Sequence, residues 1–456
     1  MTTAIRKSLR DSKFARWTIL IFVAFTMFCG YFISDVMAPL MELLKDEFGW
    51  SATEYGTFNM AYGWLNVALF MLIISGLILD KVGVRITGVG ACILMIIGCG
   101  LKYYAVSNAF EGHIFGLRTQ VFLASIGFAI FALGIESAGI TVTKVIVRWF
   151  KGYEMALAMG IQVAVARLGT GLAMATTIPL AKHFQSLSAP ILLGLVALCI
   201  GLIAYLVFCV MDRKLDASDA GIEEEKEEPF RVRDILSIIS NRGFWLIALL
   251  CVLFYSAVFP FLKYATSLMI NKYNVVPEWA GNIPAILPFG TILLTPLFGG
   301  IYDKKGKGAT IMMIGATMLI GIHFLFSLPV LNVWWFAAFL MILLGIAFSL
   351  VPSAMWPSVP KIIPENKIGT AYALIFWVQN IGLSLVPFII GLVLDKFCII
   401  GERITEKGEA VALYDYTLPM IIFTCLGVLA LIVSVMLKRE DKRKGYGLEL
   451  PNIRKG

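Results

Sequence analysis

Glu136 and Arg167 stand deep inside two apolar runs that flank a short basic turn, Arg148-Trp149-Phe150-Lys151-Gly152. A charge at membrane depth costs roughly 2.5–3.5 kcal/mol on insertion scales, so such residues are read first as functional. Together the two types can recognise a zwitterion: a carboxylate takes the ammonium, and the planar guanidinium fork bonds a carboxylate twice. They also read as a buried ion pair tying one helix to the next. Both readings hold at once if the pair closes in the empty protein and opens around ligand.

Helix geometry supports a shared site. The first run ends near residue 146, which puts Glu136 about 15 Å above that end. The second begins near residue 154, which puts Arg167 about 20 Å above the same face. Both depths are near the bilayer midplane, where transporters built from repeats bind their substrates.

The elements that must position these charges are membrane helices. The chain of 456 residues is 59% hydrophobic and only 15% charged, with a mean hydropathy of +0.84. Apolar runs near the roughly 20 residues needed to cross a bilayer recur from end to end, whereas the ten-residue alternation of a membrane β-barrel is absent. The class is a polytopic all-α membrane protein.

Twelve helices are expected at roughly 17–40, 54–78, 86–106, 119–146, 154–181, 190–211, 243–270, 279–301, 309–328, 333–355, 369–394 and 417–437. The first run is too long for a signal peptide and stays as helix 1. Residues 1–211 form a first six-helix bundle, 212–242 a cytoplasmic linker, 243–437 a second bundle and 438–456 a cytoplasmic tail. The linker carries the charge run Glu223–Glu228, a solvated stretch. Its later part, Arg231–Ser240, has the pattern of a short amphipathic helix at the membrane surface.

The net charge of +8 follows this topology, with 27 of the 38 Lys and Arg residues on cytoplasmic segments. That is the positive-inside bias, and it puts both termini in the cytoplasm. No basic groove with stacking aromatics suggests nucleic acid. Three scattered histidines make no metal cluster, and the cysteines make neither a disulfide framework nor a CxxC pair. No nucleotide-binding loop is present, so ATP drive is not expected, and no cofactor is implied. The lack of a nucleophile or metal constellation argues against a membrane enzyme.

An internal repeat comes next. Gly76-Leu-Ile-Leu-Asp80-Lys81-Val-Gly83-Val-Arg85 follows helix 2, and Gly299-Gly-Ile-Tyr-Asp303-Lys304-Lys305-Gly306-Lys307 follows helix 8. The aspartates are 223 positions apart, close to half the chain. This loop resembles the signature of the major facilitator superfamily, fully in the first copy; in the second, Gly308 replaces the last basic residue. The resemblance implies two pseudo-symmetric bundles working by alternating access. In the loop, glycines allow a tight turn and close helix approach, and the aspartate can bond N–H groups at a neighbouring helix N-terminus. Such a latch would hold one access state and release in the other. Gly76, Asp80, Lys81, Gly83, Arg85, Asp303 and Lys304 are its expected gating residues. Gly391-Leu-Val-Leu-Asp395-Lys396 repeats the opening of the motif on the outer side and is read as coincidence.

A closer resemblance rests on Gly134–Ser137, Arg148–Glu154, Ala166–Gly169, Met355–Pro360, Ile363–Glu365, Gly369–Tyr372 and Gln379–Gly382. These stretches are similar to the lysosomal dipeptide-transporter branch of the superfamily. That similarity implies a dipeptide substrate, with Glu136 on its amino terminus and Arg167 on its carboxylate. Two extended residues span about 7 Å, a gap that neighbouring helices can present.

A second charge pair joins the two halves. Asp35 in helix 1 and Lys263 in helix 7 both stand about 27–29 Å up from the cytoplasmic side, so they are expected to close an outer gate; otherwise each snorkels separately to the interface. Tyr62, Asn66, Asn282, Trp356, Gln379 and Asn380 are expected to line the cavity, unless they serve only packing or inter-helix bonds. Pro284, Pro288, Pro352 and Pro357 are candidate kinks that would help rocking.

The reading is therefore a monomeric secondary transporter of dipeptides in a lipid bilayer. Transport is by uniport or with protons as co-substrate: Glu136 is a candidate proton site, but a nearby arginine lowers a carboxylate's pKa, which favours uniport or indirect coupling. An organic-anion or nitrate-type porter is the alternative, which Arg167 alone would serve and Glu136 would oppose. A transceptor or membrane scaffold is a further rival. The basic tails carry no acidic dileucine signal and the chain no Asn-x-Ser/Thr sequon, which points to a bacterial inner membrane rather than a lysosome.

Overall fold

Long apolar runs with few internal breakers propagate as helices, because a bilayer offers no partner for an unpaired backbone group. The computed structural model describes residues 9–150, 152–219, 232–364, 367–405 and 408–452. Among these, eleven helices are long and apolar enough to cross a bilayer, and one further crossing is built from shorter pieces. Helix α1 is Lys13–Asp35. Helix α2 is assembled from Ala52–Met60, Tyr62–Ala68 and a last piece from Met71 to residue 82, and α3 occupies residues 84–107. The rest are α4 Thr119–Phe150, α5 Met155–His183, α6 Ala189–Asp219, α7 Arg242–Tyr273, α8 Asn282–Lys305, α9 Gly308–Ser327, α10 Trp334–Ile362, α11 Ile368–Phe397 and α12 Thr417–Lys444.

Several boundaries differ from the sequence expectation, each for a local reason. Past Asp35 the chain continues through the short helices Ala38–Leu40 and Met41–Phe48, the second of them where a loop is expected. Left-handed Gly49 (φ 66°) ends it by donating to the Leu44 and Lys45 carbonyls. Between α2 and α3 there is no loop, only a one-residue break at Gly83 (φ 83°, ψ 171°). A side chain would be strained there. Helices α10 and α12 run seven residues beyond their expected ends. Pro288 and Pro296 lie inside α8, and Pro352, Pro357 and Pro360 inside α10; Pro284 falls in the first turn of α8, where a missing N–H costs little.

Close approach of α3 and α4 depends on small residues. A Cβ on Gly98 would lie 2.3 Å from the Phe131 nitrogen, and one on Gly127 would lie 2.7 Å from the Gly98 carbonyl oxygen. These two helices therefore dock backbone to backbone.

The start of α1, the end of α6, the start of α7 and the end of α12 share one end of the molecule, termed here the tail face. Arg85 and Arg148 there grip the end of α6: Arg148 is 2.9 Å from fully buried Asp212 and also pairs with Asp216, which Arg85 meets at 2.6 Å. The Trp149 indole donates to Asp212 at 3.0 Å. The expected surface helix is present as Val232–Ile239, while the Glu223–Glu228 run lies outside the described residues. After α12 the chain turns back as a strap over the α8–α9 junction. The Glu449 carboxylate accepts from the Thr310 N–H at 2.9 Å, the Lys307 N–H donates to the Glu449 carbonyl at 2.9 Å, and Lys361 donates to the Leu450 carbonyl at 2.9 Å.

The opposite, far face carries two small antiparallel hairpins, the only strands among the described residues: β1 His113–Ile114 with β2 Leu117–Arg118, and β3 Ile399–Ile404 with β4 Ala410–Tyr414. The second hairpin is pinned to the helical extension after α1. Arg403 pairs with Asp46 at 2.6 Å, and Lys45 donates to the Ala412 carbonyl at 2.9 Å.

Candidate functional site

One cavity of about 980 Å³ lies between helices of the two halves of the chain, walled by α1, α2, α4, α5, α7, α10 and α11. Glu136 on α4 and Arg167 on α5 both open onto it, yet they form no ion pair with each other. The Glu136 carboxylate instead accepts from the Tyr62 hydroxyl at 2.7 Å, and Asn380 on α11 faces it. Arg167 has no carboxylate partner among the described residues. Its guanidinium lies 5.9, 5.1 and 5.4 Å from the ring centres of Tyr31, Phe259 and Phe348, where aromatic faces attract a cation. The expected closed pair is therefore corrected: Glu136 takes a phenol and Arg167 three ring faces, and neither has a counter-ion among the described residues. Glu136 accordingly lacks the adjacent guanidinium on which the preference for uniport rests.

The α10–α11 wall is aromatic and braced. The Trp356 indole donates to the Tyr255 hydroxyl at 3.0 Å, the Tyr372 hydroxyl donates to the Trp356 carbonyl at 3.0 Å, and Trp356 stacks on Phe376 with centres 4.8 Å apart. Tyr62, Trp356, Gln379 and Asn380 all line the cavity. Asn66 and Asn282 do not, which corrects the expectation for both. Asn66 is fully buried and donates to the Tyr62 carbonyl one turn back at 3.2 Å. Asn282 is the first residue of α8, at the far face and outside the cavity lining.

Above the charges the cavity is roofed. Lys263 on α7 meets the Asp35 carboxylate on α1 at 2.7 Å and donates to the Ser34 carbonyl at 3.0 Å; the Thr170 hydroxyl holds the other Asp35 oxygen at 2.8 Å. Both partners are largely buried, with side chains 16% and 15% exposed. A third cation here escapes the sequence reading. Lys102 on α3 is fully buried, donates to the Ile33 carbonyl at 2.9 Å and lies over Phe128 and Phe131. Two lysines thus cap the negative end of the α1 dipole. The signal that could find Lys102 is a lone charge in an apolar run, the same kind that singles out Glu136.

At the tail face the cavity reaches Gly76, Asp80 and Lys144 on one side and Gly369 and Thr370 on the other. In this state the cavity is open toward the tail face and closed at the far face. The signature residues behave accordingly. Asp80 does not bond a helix N-terminus, as expected of a latch, but pairs with Lys144 of its own half at 2.6 Å. The cavity mouth separates it from the start of α11, which carries no side-chain cap among the described residues. Gly76 and Gly83 have open space where a Cβ would sit, so neither serves close approach. Lys81 and Lys304 are exposed. Arg85 grips α6, and Asp303 accepts from the Asn452 amide at 2.7 Å.

A family profile described as Major Facilitator Superfamily matches residues 20–387. Among curated proteins, the chain is 26% identical over 390 residues to the lysosomal dipeptide transporter MFSD1 of Danio rerio, covering 83% of this chain and 81% of that one. The protein of the same name from Mus musculus is 27% identical over 393 residues, covering 84% and 80%. Among solved structures, the nucleoside transporter NupG superposes with a TM-score of 0.68 at 15% identity, over 93% of this chain and 99% of that one. A bacterial homologue of the human lysosomal transporter Spinster, inward-facing and occupied, gives 0.66 at 13% identity over 94% and 98%. A peptide transporter, POT, with bound sulfate gives 0.64 at 14% identity over 93% and 94%. The family match runs from α1 into α11, taking in both signature loops and reaching every helix that walls the cavity. On that footing the protein is a membrane transporter that belongs to the major facilitator superfamily.

Proposed function

We propose that the protein carries dipeptides across the membrane by alternating access, with residues 1–211 and 243–437 as the two rocking bundles. The tail face, which holds most of the basic residues, is then the cytoplasmic side. Residence in a bacterial inner membrane stays part of this reading. The observation that carries the proposal is the cavity wall itself. Glu136 and Arg167 face one cavity with opposite charge, and neither neutralises the other. A zwitterion of matching length supplies both missing partners, its ammonium on Glu136 and its carboxylate on Arg167. The similarity to dipeptide transporters over more than four-fifths of the chain supports the substrate class. Tyr62 orients the Glu136 carboxylate, and the braced Trp356 wall offers room for side chains. In this account Asp35 with Lys263 forms the far-face gate, and Asp80 belongs to the tail-face gate, open in this state.

Counterflow in proteoliposomes tests this, using dipeptides, single amino acids, tripeptides, oxalate and nitrate. Dipeptides should exchange in the wild type and lose at least tenfold in rate with Glu136→Gln and with Arg167→Ala. Dipeptide exchange untouched by both substitutions sinks the assignment. Exchange of oxalate or nitrate in place of dipeptides would instead support an anion porter built on Arg167.

A further inference from the structure

We propose that Asp395, at the end of α11, is the far-face latch of the transport cycle, holding the N-terminus of α2 while the cavity is open on the tail face. The case begins with the four backbone donors that any helix start leaves without an internal partner. At the α2 start, Ser51 and Glu54 form a capping box: the Glu54 N–H donates to the Ser51 hydroxyl oxygen at 3.1 Å, and the Ser51 N–H donates to the Glu54 carboxylate at 3.0 Å. That box leaves the N–H groups of Ala52 and Thr53 unserved within their own half. Both go to Asp395, one to each carboxylate oxygen, at 3.1 and 2.6 Å. The negative carboxylate also faces the positive end of the α2 dipole.

Two further features fit this contact. Gly391, one turn before Asp395, lets the backbones meet: a Cβ there would lie 2.2 Å from the Ala52 carbonyl oxygen. On its other side Asp395 accepts from the Tyr414 hydroxyl at 2.5 Å, so the carboxylate keeps a partner on its own half when α2 departs. The motif Gly-x-x-x-Asp thus stands at the tail-face end of α2, ending in Asp80, and at the far-face end of α11, ending in Asp395, besides its copy on α8 ending in Asp303. The two helices face each other at both ends. In this state Asp395 caps α2, while the α11 start has no side-chain cap among the described residues and lies across the open mouth from Asp80. When the far face opens, Ala52 and Thr53 lose Asp395, and Asp80 comes within reach of α11. The two caps are alternatives, one for each access state.

The test reads conformation and needs no substrate, so its failure is separate from that of the dipeptide assignment. Spin labels are placed at exposed far-face positions 109 and 332, one in each half, with the eight native cysteines replaced. Their distance distribution is measured in nanodiscs. Asp395→Asn keeps the shape but loses the charge and one acceptor, and should raise the long-distance, far-open population about tenfold, the scale of a lost charge-assisted bond. Gly391→Ala should act in the same direction with the carboxylate intact, through its clash with the Ala52 backbone. An unchanged distribution in folded Asp395→Asn overturns the proposal. Should that variant fail to fold, an unchanged distribution in Gly391→Ala overturns it instead.

Discussion

Neutralising one member of the Asp35–Lys263 pair should open the far face far more than exchanging the two charges. The ions are 2.7 Å apart with side chains about one-sixth exposed. At an effective dielectric near 20 their attraction is about 6 kcal/mol, most of it offset by desolvation. Removing one partner leaves the other charge largely buried and without its counter-ion, which costs about 3–5 kcal/mol. In the closed state only, that penalty shifts the balance of access states by a factor of roughly 100 or more. Lys263→Met should therefore trap the transporter far-open and slow counterflow by a similar factor, and Asp35→Asn should do so nearly as strongly. The exchanged protein, Asp35→Lys with Lys263→Asp, regains the Coulomb term but not everything. An aspartate at 263 cannot donate to the Ser34 carbonyl, and a lysine at 35 stands near Lys102. Recovery to within about tenfold of the wild-type rate is expected, by counterflow and by thiol labelling of the far-face vestibule. An exchange as damaging as either single change would refute the gate.

Two further predictions concern what keeps the first half rigid. Gly127→Ala pushes a Cβ against the Gly98 carbonyl and the Lys102 nitrogen, at 2.7 and 2.8 Å. It should cost about 1–3 kcal/mol, seen as a lower melting temperature in detergent. Arg148→Ala leaves fully buried Asp212 with the Trp149 indole and a distant Arg85 at 3.7 Å. It should destabilise by about 3 kcal/mol, and Arg148→Lys should recover part of that loss in the same melting assay.

The fold and the middle of the site are legible in the sequence because membrane helices convert sequence distance into depth. Counting from the basic ends brings Glu136 and Arg167 to one cavity and Asp35 to Lys263, with no knowledge of packing. What counting cannot give is azimuth, the direction in which a side chain leaves its helix. Asn66 shares its run with Tyr62 yet turns into the packing, and the ring faces that hold Arg167 look like ordinary apolar residues in sequence. Nor can it give partners across the bundle. The Gly391–Asp395 motif looks like coincidence in the sequence, since nothing in the chain says that the start of α2 sits beside it. The continuation of α1 to Phe48 is hidden for a related reason: its polar face, Glu42 and Lys45, looks like a loop until it is seen buried against the second hairpin.

The strap at residues 446–452 bears on how the protein can be handled. It supplies the partners for the start of α9 and for Asp303, so it works as a clip that keeps the second signature loop in shape. A purification handle spliced in directly after α12 would pull that clip away and leave the Thr310 and Lys307 amides facing water. A reporter attached beyond Asn452 leaves it seated. Placement of the tag is thus a structural choice, and a chain that loses activity on trimming to Lys444 has lost a clip rather than a dispensable tail.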